Sequence, residues 1–342
     1  MKKAVVLFNL GGPDSLDNVE PFLFNLFNDP AIINLPTFIR YPLAKIISKK
    51  RAPVAKKIYQ EIGGSSPILK LTMDQSIELE KSLNSMQNKI DYKTFIAMRC
   101  WNPRADETIN NVKNFNPNEV ILVPLYPQFS YSTSGSSISE WKEKCKKKNF
   151  NTITSTICCY PEEENFINAH VEEIKNKINI NNNERLIFSA HGLPEKNIKN
   201  GDPYQWQVEK TVQKIIKELN QKNLDYILSY QSRVGPLKWI GPSTDDVIVE
   251  SSRSGKSIVL IPVAFVSEHS ETLVELDIEY KKLAKDNGCK NYTRIPALGT
   301  NKNYIKGLSE LIINKEEYKF RESLYTPKKQ CLSKFNKCPC YQ

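Results

Sequence analysis

The sequence has no apolar run that approaches the roughly 18 residues of a membrane-spanning helix, although 40% of its 342 residues are hydrophobic. Its start, MKKAVVLFNLGGP, leads directly into a strand pattern and a glycine turn. It lacks the longer apolar region and the small-residue cleavage site of a signal peptide. We therefore expect a cytoplasmic protein that does not span a membrane, with a length that allows two domains of ordinary size.

Recognised nucleic-acid-binding modules are also missing, although the net charge is +10 and the pI is about 9.0. The lysines are dispersed along the chain and form no single patch. A basic balance favours anionic partners, which include acidic lipid surfaces and ligands that carry carboxylates or phosphates. We expect such partners and no nucleic acid.

The first strand pattern ends in Gly11-Gly12-Pro13, but no G-x-G-x-x-G motif follows it. A dinucleotide site needs that motif for the approach of a pyrophosphate to a helix N-terminus. A tight turn that admits a bulky planar ligand is the alternative interpretation.

Apolar runs alternate with helical patterns along the chain, which predicts parallel sheets covered by helices. Two pairs of segments also resemble each other: 120–130 with 258–267, and 6–13 with 186–194. We therefore predict an α/β fold of two similar Rossmann-like, doubly wound domains, each with a parallel four-stranded sheet. The carboxyl ends of parallel strands form the usual ligand crevice in such folds.

Histidine is scarce, and two of the three histidines, His191 and His269, stand just past a strand pattern. Active-site residues often project from this edge of a sheet, so His191 is a candidate site residue, with a hydrogen-bonded turn histidine as the alternative. His170 lies within a helical pattern and is expected to be structural.

The segment after the apolar run 258–266 places Glu268, Glu271 and Glu275 at i, i+3 and i+7 on one helix face. Carboxylates at this spacing repel one another unless a cation or a proton lies between them. The pattern indicates either a metal or proton path or a solvated acidic face. His191 with Glu271 would suit a divalent ion that is held loosely.

Several motifs resemble the ferrochelatase family over nearly the whole chain: LGGPDS (10–15), IGGSSP (62–67), YPQFSYSTSGSS (126–137), FSAHGLP (188–194), GDPY (201–204), QSRVGPLKWIGPSTD (231–245) and FVSEHSETLVELDIEY (265–280). The resemblance implies a lyase that inserts Fe²⁺ into protoporphyrin IX, the terminal step of heme biosynthesis. It implies that His191 is the base and an iron ligand, and that Glu271 is its partner ligand. Glu275, with Glu268 and Asp277 as further candidates, would relay protons or deliver iron, and His269 would support them.

The resemblance also implies that Arg51, Tyr59, Ser66 and Arg99 bind the propionates of the porphyrin. The segment 32–51 interleaves apolar and basic residues, which describes a core helix with a charged exit or an interfacial segment at an anionic membrane. Pro36 and Pro42 interrupt the amphipathic pattern and favour the core helix. The family resemblance instead favours a porphyrin lip that contacts the membrane peripherally.

Three of the eight cysteines, Cys331, Cys338 and Cys340, form a C-x6-C-x-C pattern near the end of the sequence. The resemblance to certain bacterial ferrochelatases implies a [2Fe–2S] cluster with an internal fourth ligand, Cys158 or Cys159. Tyr131 stands where animal-type members have that ligand. We favour Cys158, because only one residue of an alternating pair can face the tail. A zinc site or an unstructured thiol-rich tail are the alternatives.

We expect a first domain from residues 1–150 and about 300–330, a second domain over 151–299, and a cysteine-rich tail over 331–342. The C-terminal helix and the tail are expected to return to the first domain. Rival functions are coproporphyrin ferrochelatase, a cobalt chelatase of the same fold, and a non-catalytic tetrapyrrole carrier. A carrier would not need both His191 and the acidic helix face.

Overall fold

In the computed structural model the chain folds into two compact units, described over residues 1–178, 183–233, 235, 237–314, 319–320 and 332–338. The first unit contains Met1–Tyr126, Ser130–Cys158 and a returning segment from Ser309. The second unit contains Pro127–Phe129, Cys159–Leu308 and the tail residues 332–338.

The first unit is a parallel sheet with helices on its faces. Its elements are β1 (Lys2–Asn9), a 3₁₀ turn (Leu16–Asn18), α1 (Val19–Phe27), α2 (Thr37–Gln60), α3 (Ile68–Met86), β2 (Asp91–Met98), α4 (Ala105–Phe115), β3 (Glu119–Pro124), a π-helix (Tyr131–Gly135), α5 (Ser136–Lys147) and β4 (Ile153–Ile157). The strand order is β2-β1-β3-β4, and Lys319–Phe320 adds a short antiparallel pairing to β4.

The central strands of this sheet are buried on both faces, as their continuous apolar sequences predict. All six residues of β3 and the last six of β1 are buried. One core cluster packs Phe8 against Trp141 of α5, with ring centroids 5.9 Å apart. Burial of these side chains is what holds α5 against the sheet.

The second unit repeats this plan. Its elements are α6 (Glu164–Lys177), β5 (Glu184–His191), α7 (Glu195–Lys199), α8 (Tyr204–Leu219), β6 (Tyr226–Gln231), α9 (Thr244–Arg253), β7 (Ser257–Pro262), a π-helix (Glu271–Glu279), α10 (Tyr280–Asp286) and β8 (Tyr292–Arg294). Helix α11 (Lys302–Ile313) begins in this unit, and its residues from Ser309 belong to the first. All pairings are parallel, in the order β6-β5-β7-β8. The predicted fold class is therefore confirmed.

The two units share the strand order 2-1-3-4, which matches the sequence similarities between them. β3 and β7 hold equivalent positions, and each is followed by a π-helix. We expected an α-helical segment after β7, and the structure has a π-helix there: the Tyr280 N–H donates to the Glu275 carbonyl, five residues earlier. Such i→i+5 segments are rare and occur frequently at functional sites.

Pro42 lies inside the continuous helix α2. One further expectation differs from the structure. The tail residues 332–338 pack on the second unit, where the Phe335 ring lies 5.2 Å from the Trp206 ring, and not on the first. Across the described part of the chain, we find no helix with the length and hydropathy needed to cross a membrane.

Candidate active site

His191 and Glu271 meet at one edge of the second sheet. His191 is the last residue of β5, and Glu271 opens the π-helix that follows the neighbouring strand β7. Because the strands are parallel, their carboxyl ends lie side by side, and His191 Nδ1 is 3.0 Å from Glu271 Oε2. His269 Nε2 lies 3.7 Å from the same oxygen. The two loops named from the sequence therefore converge on one carboxylate.

The electrostatics of this contact favour an ionised Glu271 and a more basic His191. Burial alone would lower the pKa of His191, but the Glu271 carboxylate outweighs it and raises that pKa above its ordinary value. Burial likewise opposes ionisation of Glu271, but the two imidazoles hold its pKa well below the usual range. The side chains of His191 and Glu271 remain 38% and 32% exposed, so a hydrated ion can reach them.

Glu275 lies one turn further along the π-helix and accepts several hydrogen bonds. Gln231 Nε2 donates to it at 3.1 Å, the Ser232 N–H at 3.0 Å and the Ser232 hydroxyl at 2.5 Å. The Tyr280 hydroxyl lies 3.0 Å from Glu275 and 3.2 Å from Asp245. Burial and repulsion by Glu271 raise the pKa of Glu275 in spite of these donors, which brings a proton on this carboxyl closer to neutral pH.

A cavity of about 670 Å³ opens beside Glu275. Its lining is mixed in charge and includes one large aromatic ring: Ser232, Arg233, Gly235, Leu237, Lys238, Trp239, Asp245 and Glu275. Asp245 is exposed. Tyr280 therefore connects a half-buried carboxylate to one that faces solvent.

The sequence analysis did not identify the residues whose hydrogen bonds position the donors of Glu275. Ser189 donates to Gln231 Oε1 at 2.7 Å and lies 3.0 Å from the Thr244 hydroxyl, and all three residues are fully buried. This hydrogen-bonded set orients the Gln231 amide toward Glu275. The sequence feature that could have revealed this set is the presence of two polar residues, Ser189 and Gln231, in predicted strands.

The two further relay candidates lie elsewhere. Glu268 and Asp277 both bind the guanidinium of Arg294. Glu268 also accepts a hydrogen bond from the Ala297 N–H at 2.9 Å. The structure therefore does not bring Glu268 or Asp277 into the cluster around His191.

The proposed propionate ligands belong to the first unit. Arg99 is partly buried and lies between Asp29 and Glu140, at 2.8 and 2.7 Å, so its guanidinium already pairs with two carboxylates. Tyr59 is buried in the core with Val19. Their roles in binding remain predictions.

Arg51 and Ser66 are placed differently. Arg51 is exposed, with its guanidinium 5.9 Å from the Phe27 ring. Ser66 donates its backbone N–H to the Pro13 carbonyl at 2.7 Å. A Cβ on Gly12 would lie only 2.5 Å from the Ser66 side chain, so glycine at this turn makes room for the serine.

Two of the four proposed cluster ligands lie within the described residues. Cys158 and Cys338 are buried, whereas Cys331 and Cys340 lie outside the described residues. Cys159 Sγ accepts a hydrogen bond from Gln207 Nε2 at 3.3 Å. Within the described ranges, no three His, Cys, Asp or Glu side chains are arranged to hold a metal ion.

Comparison with known proteins decides the family. Residues 2–316 match the family model for ferrochelatase. The chain belongs to the ferrochelatase family. The ferrochelatase of Pelagibacter ubique (strain HTCC1062) is 71% identical over 340 residues, which cover 99% of each chain. That of Rickettsia bellii (strain OSU 85-389) is 52% identical over 341 residues, 99% of this chain and 95% of the relative.

A solved structure shares the fold of this chain. The structure of SirB from Bacillus subtilis with Fe³⁺ aligns with 92% of this chain and 98% of its own, with a TM-score of 0.54 and 13% identity. At this identity the likeness shows the fold alone. The family membership inferred from the motifs is therefore confirmed by the relatives and the family model.

Proposed function

We propose that this chain is a protoporphyrin ferrochelatase, a lyase that inserts Fe²⁺ into protoporphyrin IX to give protoheme, the terminal step of heme biosynthesis. The observation that carries the proposal is the contact of His191 with Glu271, 3.0 Å apart and accessible at the edge of the sheet, in a member of this family. An imidazole and a carboxylate are suitable ligands for Fe²⁺ and leave most of its coordination positions open.

Iron would be stripped of water in steps. Fe²⁺ arrives strongly hydrated, and the Glu271 carboxylate and the His191 imidazole can each replace a water while the rest remain. Two protein ligands hold the ion more weakly than the four ligands of a closed structural site. This fits a metal that must be released into the macrocycle.

Two pyrrole N–H protons must leave as the metal enters. His191 Nδ1 is held by Glu271, so Nε2 is the nitrogen that would accept a proton once the iron has left it for the macrocycle, and Glu271 would stabilise the resulting imidazolium. Glu275, whose pKa is raised, is the candidate for the next acceptor. The Tyr280 hydroxyl could then donate its proton to Asp245 while it accepts one from Glu275, which carries the charge to solvent.

The test is insertion of Fe²⁺ or Zn²⁺ into protoporphyrin by the His191→Ala variant. Loss of a general base lowers kcat by about 10²- to 10⁴-fold, while porphyrin binding, followed by fluorescence, should remain. Near-normal turnover would refute the role of His191. Faster turnover of coproporphyrin than of protoporphyrin by the wild type would favour the coproporphyrin rival, and no insertion of any metal would favour a carrier.

The spacing of the three C-terminal cysteines favours the proposal of a [2Fe–2S] cluster. Its ligands would be Cys158, Cys331, Cys338 and Cys340. Four thiolates meet the requirement of such a cluster, which when bound supplies one-electron redox chemistry. Burial of Cys158 and Cys338 suits a cluster shielded from water.

Exposed apolar residues on α2 support peripheral contact with the cytoplasmic face of a membrane. Phe38 and Ile46 are 79% and 65% exposed, so the alternative of a core helix is wrong for these side chains. The same stretch carries Arg40, Lys45 and Lys49. Apolar side chains flanked by basic ones are the composition that anionic lipid surfaces bind.

A further inference from the structure

Arg294 joins the two carboxylates that flank the metal-binding residues along the chain. It is the last residue of β8, and its side chain is only 11% exposed. Nε and Nη2 donate to the two oxygens of Asp277, with Nε at 2.8 Å from Oδ1, and Nη1 donates to Glu268. One planar guanidinium thus fixes both the residue before His269 and a residue inside the π-helix.

A second contact from the same strand reaches the π-helix. The Tyr292 hydroxyl donates to the backbone carbonyl of Leu276 at 2.6 Å. Leu276 and Asp277 are consecutive, so β8 holds the π-helix at adjacent residues, once through the backbone and once through a side chain. These bonds come from outside the helix and do not depend on its own hydrogen-bond pattern.

A π-helix is a rare conformation, and the contacts from β8 are candidates for what stabilises this one. The register of this one decides where Glu271 and Glu275 point. Glu271 must face His191, and Glu275 must face Gln231 and Ser232. A return to α-helical bonding between Glu268 and Asp277 would rotate both carboxylates away from these partners.

We propose that Arg294 is a positioning residue for iron binding: by holding Glu268 and Asp277 it fixes the π-helical register that presents Glu271 and Glu275. The inference deepens the proposed ferrochelatase function and rests on it for the identity of the metal. It also gives Glu268 and Asp277 a role in the site other than proton relay. Ligand-orienting residues of this kind typically change metal affinity by about 10- to 100-fold when they are removed.

The test compares Arg294→Leu with a matched control, Arg185→Leu. Arg185 is also a partly buried arginine of the second sheet, with a side chain 16% exposed and Nε 3.0 Å from Asp225 Oδ1. It lies at the opposite end of β5 from His191, on the order of 20 Å away at about 3.3 Å per residue. Both variants lose a comparable ion pair, but only Arg294→Leu releases the π-helix.

Two measurements are made: binding of Co²⁺ to the whole protein without porphyrin, followed by its visible spectrum, and KM for Zn²⁺ and for protoporphyrin. Arg294→Leu should weaken Co²⁺ binding and raise the KM for Zn²⁺ by about 10- to 100-fold, with the KM for protoporphyrin unchanged. Arg185→Leu should change neither. Arg294→Lys keeps the positive charge but loses the bidentate hydrogen bonds of the guanidinium, so it should recover metal binding only in part.

Equal loss of Co²⁺ binding in both arginine variants, or unchanged binding in Arg294→Leu, would overturn the proposal. If Arg294→Leu does not fold, Asp277→Asn keeps the shape and weakens the same contact, and it must show the same loss. Because Co²⁺ binding needs no turnover, this result does not depend on whether the wild type metallates protoporphyrin. Failure of that reaction would refute the proposed function alone.

Discussion

Replacement of His170 by leucine should make the protein more resistant to acid without changing the pH dependence of catalysis. His170 lies on α6, is 1% exposed, and packs its ring edge-on against Phe166 with centroids 4.9 Å apart. Neither ring nitrogen has a hydrogen-bond partner in the described part of the structure. Burial therefore lowers the pKa of His170 from 6.5 to about 3.

The direction in which the free energy of unfolding changes with pH follows from the number of protons bound in the folded and the unfolded state. Between about pH 6.5 and 3, His170 is protonated in the unfolded chain and neutral in the folded protein. Unfolding then takes up one proton, so the free energy of unfolding falls by about 1.4 kcal/mol for each pH unit of acidification. Two units below the unfolded pKa, near pH 4.5, His170 destabilises the fold by about 3 kcal/mol. Leucine has no proton to bind and removes this contribution.

The assay is urea unfolding of the wild type and His170→Leu between about pH 7.5 and 4.5. The free energy of unfolding of the variant should exceed that of the wild type by an amount that grows toward acid. The acidic limb of kcat/KM should coincide in the two proteins, because it reports His191, whose pKa Glu271 raises. Parallel stability curves would show that His170 is protonated in the folded state and would refute the reasoning.

Two further predictions concern the proposed cluster and the lip. Cys158→Ser should abolish the visible absorbance of an iron–sulfur cluster, whereas Cys159→Ser should retain it; a colourless wild type that contains zinc would contradict the cluster. Serine at both Phe38 and Ile46 should weaken binding to anionic vesicles in a sedimentation assay, since each side chain contributes about 1.5–3 kcal/mol when it is fully buried. Ile153→Ser, at a residue 62% exposed outside the lip, is the control, and equal loss in the control would argue against a localised contact.

The tertiary structure decided which ionic side chains are available for chemistry. Arg99 is predicted from the family resemblance to bind a propionate, yet Asp29 and Glu140 already occupy its guanidinium. Glu268 belongs to the acidic pattern in the sequence, yet it binds Arg294, 26 residues further along the chain. No local pattern encodes such pairs, because they depend on where distant strands bring their side chains.

The sequence by itself determined the fold class and the pairing of His191 with Glu271. Buried strands read as continuous apolar runs, and the carboxyl ends of parallel strands converge, so residues 80 apart could be placed together from local patterns. The π-helix was decided by tertiary structure. Whether a turn closes by i→i+4 or i→i+5 bonds depends on contacts such as those of Arg294 and Tyr292 with Asp277 and Leu276, and apolar periodicity does not record them.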